Sequence, residues 1–149
     1  MSAQDDMDFN SGMMAFEAKH FSRAMQILSE IAEKGNTDAM HRCAIMYQNG
    51  LGVAVNKEAA VKWMTKAAEQ GHELAQHGLG FMYMEGDCVE QNGELAVKWF
   101  TEAAEQGLQG SQTTLGMMYE QGVGGVEKDL EKANQWYAKA GFSPEEFKQ

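Results

Sequence analysis

His72 and His77 stand five residues apart, one beyond the i, i+4 spacing that lets two histidines on one helix face share a metal ion. His41 and Cys43 are two apart and point to different sides of any helix that carries both. The run from Gly122 to Val126 is rich in glycine but lacks the lysine and the preceding strand of a phosphate-binding loop, so it reads as a turn. No zinc-finger spacing, nucleophile elbow or dinucleotide fingerprint occurs. Cys88 falls in a turn with no neighbour in sequence to lower its pKa, and Cys43 falls among apolar helix positions as an inert buried thiol. The carboxylates sit at helix positions that face solvent. The expectation is therefore no catalytic residue, no metal and no cofactor, and a chain that works by recognition.

What positions these residues is a repeat, and composition says what kind of surface it carries. The chain has 149 residues and a formal charge of −10, which repels a phosphate backbone and an anionic membrane surface alike. Nucleic acid and membrane are poor partners, and a basic peptide or protein suits the long-range field, although the acidic residues are spread along the whole sequence. The first residues, Met1 to Asp6, are acidic where a secretory leader is basic and then apolar, and no apolar run reaches the length of a membrane span. Two cysteines do not make a disulfide framework. A reducing, cytoplasmic location is expected.

Tyr47, Tyr83 and Tyr119 recur at intervals of 36, and Trp63, Trp99 and Trp136 at 36 and 37, the extra residue lying in the glycine run after Gly122. Ahead of each tyrosine runs a helical stripe such as Ala75, Leu79, Met82 and Tyr83, which stops at Gly50, Gly86 or Gly122. Around each tryptophan lies a second helix with alanines three residues before and four after (Ala60 and Ala67, Ala96 and Ala103, Ala133 and Ala140). Asn56, Asn92 and Asp129 stand where an N-cap accepts a bond from the first turn, and Gly71 and Gly107 close the helix. One such hairpin cannot bury its apolar face alone, so neighbours must stack, with the tryptophans and tyrosines filling the core between them.

The pattern A-x-x-x-L-G-x-x-Y-x-x-G, then a G-V turn and A-x-x-W-x-x-x-A, resembles the Sel-1-like repeat family, a relative of the tetratricopeptide repeats. Ala75, Leu79, Gly80, Tyr83, Gly86, Val89, Ala96, Trp99, Ala103 and Gly107 carry it most fully. Cys43 and Ala44 replace the Leu-Gly pair in the first unit, and Ser111 replaces the leading alanine in the third. The resemblance implies an all-α fold, a right-handed α/α superhelix, and adaptors for protein complexes in bacterial and eukaryotic settings. Paired cysteines of some secreted relatives would fall at Ala68 and Ala75.

One domain over residues 1–149 is expected, with a looser tetratricopeptide-like hairpin at 6–35, repeats at 38–71, 73–107 and 109–141, and a cap at 143–149. Ser22 is the expected N-cap of the second helix of the first hairpin, and Ser143-Pro144-Glu145-Glu146 reads as a capping box with proline at the first helical position. In arrays of this kind the first helices line the concave face. Counting from the Gly80 column, the groove takes Met13 and Phe16, then His41, Ile45, Gln48 and Asn49, then His77, Phe81, Met84 and Glu85, then Thr113, Met117, Glu120 and Gln121. Met13, Ile45, Phe81 and Met117 make one apolar column fringed by amides and carboxylates, the chemistry of a peptide or helix groove. The expected function is a scaffold that holds a protein or peptide segment. The alternative is a homo-oligomer that uses the apolar face for self-association, with a hydrolase a distant third.

Overall fold

A computed structural model describes residues 2–143, so the sequence-predicted cap beyond Ser143 lies outside the described residues. Among these, eight α-helices and no strand occur: α1 (Ala3–Glu17), α2 (Phe21–Glu33), α3 (Thr37–Asn49), α4 (Lys57–Glu69), α5 (Glu73–Glu85), α6 (Gly93–Glu105), α7 (Gln109–Gln121) and α8 (Leu130–Lys139). They form two compact units that divide between Ala75 and Gln76, early in α5. The fold is all-α, a solenoid class of helical hairpins in which odd-numbered helices are the first and even-numbered the second of each pair.

The helix ends explain why the repeat keeps its length. Asn56, Asn92 and Asp129 each accept a bond on the side chain from the backbone N–H three residues on, at 3.0, 3.1 and 3.0 Å. Their own N–H groups donate to the carbonyls of Tyr47, Tyr83 and Tyr119 at 3.0, 2.9 and 2.9 Å. Each turn is thus pinned at both ends, and the extra residue of the last one is taken up by a 3₁₀ turn, Val123–Gly125. Gly50 and Gly122 end their helices with φ of 68° and 69°, a left-handed conformation without steric cost only for glycine. The second helices end alike: the N–H groups of Asn36, His72, Leu108 and Phe142 reach back to Ile31, Ala67, Ala103 and Tyr137 past a positive-φ glycine.

The first hairpin departs from expectation at both starts. Helix α1 begins at Ala3 rather than near Asp6, because Ser2 and Asp5 form a capping box with bonds of 3.1 and 3.2 Å. Helix α2 begins at Phe21, after a left-handed Lys19 (φ 65°), so Ser22 lies inside the helix and His20 takes the cap position without a side-chain bond.

In the first unit α1 packs on α2, α2 on α3 and α3 on α4. Leu28, Met40, Cys43, Ala44, Met46 and Ala67 are fully enclosed, as is nearly all of Trp63. In the second unit the Leu-Gly pair has a clear reason. A Cβ on Gly80 would lie 2.8 Å from the Phe100 ring, and one on Gly116 would lie 2.7 Å from the Tyr137 ring. An aromatic ring of the second helix lies on each of these glycines. One repeat earlier the corresponding residues are Ala44 and Met64, both buried, where a flexible thioether leaves room for a methyl group. Trp99 is buried at 8% exposure, whereas Trp136 is only partly buried and no described helix follows α8. The expectation that all three tryptophans are core therefore fails in degree at the last.

Candidate partner-binding face

The first helices hold the predicted column at intermediate depth. Met13, Ile45, Phe81 and Met117 are all half-buried, with Asn49, Glu85 and Gln121 exposed beside them and Gln48, Thr113 and Glu120 partly so. This is what an apolar stripe on one turn of the helix surface looks like when its base is core and its crest is wet.

In the first unit α1 and α3 meet at Phe16, whose ring stands edge-on to Phe21 at 5.5 Å and carries the Arg42 guanidinium 5.0 Å above it. His41 is not a groove-facing side chain: it is 9% exposed and stacks on His72, ring centroids 4.9 Å apart. His72 Nδ1 accepts the Ala75 N–H at 3.1 Å, which caps the start of α5 and leaves the proton on Nε2, 2.7 Å from an Asp38 carboxylate oxygen. Burial, aided by His72 and Arg42 and opposed by Asp38, lowers the pKa of His41 from 6.5 to about 4, so it is neutral at pH 7. The sequence pattern did not reveal this pair because His72 lies in the linker between hairpins. Its one signal was that a linker histidine stands three residues before the first alanine of a repeat, an N-cap distance.

In the second unit His77, Phe81 and Phe100 form a triangle of edge-on rings with centroids 4.9, 5.4 and 5.0 Å apart. His77 Nδ1 lies 2.6 Å from the Ser111 hydroxyl, and burial lowers its pKa below 6.5. Met84 is also a correction, since at 8% exposure it belongs to a core cluster with Ala96, Phe100, Leu115 and Met118. Phe81 and Met117 pack against that cluster from outside. Glu120 accepts a bond from the Tyr137 hydroxyl at 3.3 Å, and burial together with this carboxylate raises the tyrosine pKa. Ser111, Phe100 and His72 were the residues missed, and each comes from a neighbouring element.

Cys43 is buried and its pKa is pushed up to about 12 by burial, the unreactive state expected of it. Among the described residues no group of three or more His, Cys, Asp or Glu side chains is placed to hold a metal ion. No described helix is long and apolar enough to cross a membrane.

The Sel1 repeat model matches residues 37–72, 74–108 and 111–141. The chain belongs to the Sel1 repeat family. Two solved structures are similar over most of its length. One is a protective antigen present in uropathogenic Escherichia coli strains and displaying an SLR fold, with 34% identity, a TM-score of 0.85, and coverage of 91% of this chain and 30% of that one. The other is a Sel1 repeat protein from Oxalobacter formigenes, with 35% identity, a TM-score of 0.81, and coverage of 89% and 53%. The chain thus spans about a third and about half of the lengths of these relatives. No curated protein matches it. Sel1 repeats are generally protein–protein interaction modules.

Proposed function

We propose that this Sel1 repeat protein is a non-catalytic adaptor that holds a protein or peptide segment against its first helices. The observation that carries the reading is a half-buried apolar residue at the same register of each first helix, Met13 and Ile45 in the first unit and Phe81 and Met117 in the second, with polar residues beside it. Each unit offers its own part of that face: Met13, Phe16 and Ile45 in the first, Phe81 and Met117 in the second. Apolar surface left wet at these positions forgoes about 25 cal/mol per Å² that a partner would recover on burial. Phe81 is the strongest anchor, because aromatic side chains dominate interface energies and its ring is already held by His77 and Phe100. Because those rings would lose a contact, Phe81→Gln is also expected to lower stability by about 1 kcal/mol.

The test begins with affinity capture from the native cell and identification of what co-purifies. Ile45→Gln, Phe81→Gln and Met117→Gln should then each weaken the purified complex by about tenfold or more, about 1.4 kcal/mol. Lys66→Gln, on a second helix, should not. A partner bound equally by all four variants uses another surface.

Self-association is the second reading. It is favoured by Met7 and Met14 on α1, which are 63% and 72% exposed. Molecular mass that rises with concentration and falls back in Met14→Lys would support it. We place this adaptor in a reducing, cytoplasmic compartment, where both cysteines would stay thiols. Thiol titration of unfolded, unreduced protein should count both.

A further inference from the structure

The helix boundaries sort the charge that is spread along the sequence. The four first helices together hold eight carboxylates and a single cationic side chain, Arg42. The four second helices hold eight carboxylates and seven lysine or arginine side chains. Seven of the ten net negative charges therefore belong to the helices that bear the apolar column.

The one cation among them is engaged, its guanidinium lying over the Phe16 ring. His77, the histidine beside Phe81, adds little positive charge to the face, since burial lowers its pKa below 6.5, and the neutral His41 is buried. On the second helices, by contrast, lysines cover the tryptophans: Lys62 and Lys66 lie 5.1 and 5.5 Å from the Trp63 ring, Lys98 4.6 Å from Trp99 and Lys139 4.7 Å from Trp136. The Glu85 carboxylate is exposed one helical turn from Phe81, and Asp38, exposed as well, already holds the His72 ring at 2.7 Å, so an incoming cation meets Glu85 first.

We infer that the occupant of the first-helix face is a cationic amphipathic segment, with apolar side chains for the column and lysine or arginine for the carboxylates beside it. This rests on the adaptor reading above and names the chemistry of its partner. Exposed pairs of this kind act mainly on encounter rate and selectivity, so the signature is salt dependence together with discrimination against neutral and acidic segments.

A displayed library of random peptides panned on the full chain tests it. The enriched sequences should combine apolar residues with net positive charge. A synthetic peptide from that set should lose about tenfold in affinity when its lysines and arginines become glutamine, and about tenfold again between low and about tenfold higher salt. Glu85→Gln should weaken it likewise, by about threefold, with the melting curve unchanged. Enriched peptides that are neutral or acidic, yet lose binding to Phe81→Gln or Ile45→Gln, overturn the charge inference and leave the face in place. Cationic peptides that bind those two variants as well as the parent overturn the adaptor face itself. A library that yields no enriched sequence overturns both.

Discussion

The first and second helices of each repeat are built from the same apolar spacing but present opposite chemistry. On the second helices each tryptophan lies among alanines, with lysine over its ring. At Trp63 and Trp99 the apolar mass is thereby closed off, and the charge of the second helices is nearly balanced. On the first helices the small residues Gly80 and Gly116 receive a ring from the neighbouring helix, and the large residues that follow them, Phe81 and Met117, stay half-exposed. Packing therefore accounts for Trp63 and Trp99 on the second helices, leaves Trp136 and Leu130 of α8 partly or largely exposed, and accounts for the first helices only in part. What packing leaves over on the first helices is the surface we propose for recognition.

The largest expected effect that sharpens this contrast is Trp99→Ala. Removing a buried aromatic from the second-helix side should cost about 3–5 kcal/mol in denaturant melts. A loss under about 1 kcal/mol would mean the tryptophan is peripheral and the contrast false. Next comes Gly80→Ala, which forces a methyl group onto the Phe100 ring and should cost about 1–3 kcal/mol, while Ala44→Gly, its counterpart over Met64, should cost about 1 kcal/mol through helix propensity. A Gly80→Ala that is neutral or stabilising, as helix propensity alone would make it, would remove the ring-on-glycine account of the Leu-Gly pair.

His41 gives a pH test. Its folded pKa of about 4 lies below the ordinary 6.5, so the unfolded chain binds the proton first as pH falls. Its contribution is whole above pH 6.5 and is lost toward pH 4, about 2 kcal/mol of it by pH 5. In His41→Asn the drop in stability between pH 7.5 and about pH 5 should shrink by that amount. An unchanged slope would show that His41 is not buried as a neutral ring. The smallest effect is Asn92→Ala, a lost N-cap worth about 1 kcal/mol, to be read by chemical denaturation.

Much of this was legible in the sequence, and the limits have a physical pattern. The turns at Gly50, Gly86 and Gly122 and the caps at Asn56, Asn92 and Asp129 follow from local backbone chemistry, so spacing alone placed them. The cap of α2 was misread because a left-handed Lys19 moves the helix start, and lysine carries no signal for that conformation. Met84 and His41 were counted into the groove by helical register. Their burial depends on side chains from other elements, Phe100 and Leu115 for the one and His72 for the other. The shared register of Met13, Ile45, Phe81 and Met117 was readable, and all four are half-buried, but the segregation of charge was not, since it appears only when helix boundaries separate Asp and Glu of the first helices from lysines a few residues away.

The three tryptophans offer the most direct measurement. Each lies on a second helix, so the indole N–H groups report on the second helices and not on the half-buried residues of the first. A ¹⁵N-resolved titration of the labelled protein with a bound cationic peptide should shift the amides around Ile45, Phe81 and Met117 and leave the indole signals of Trp63, Trp99 and Trp136 where they were. Shifted indoles with silent amides at Ile45, Phe81 and Met117 would place recognition on the second helices and contradict the account.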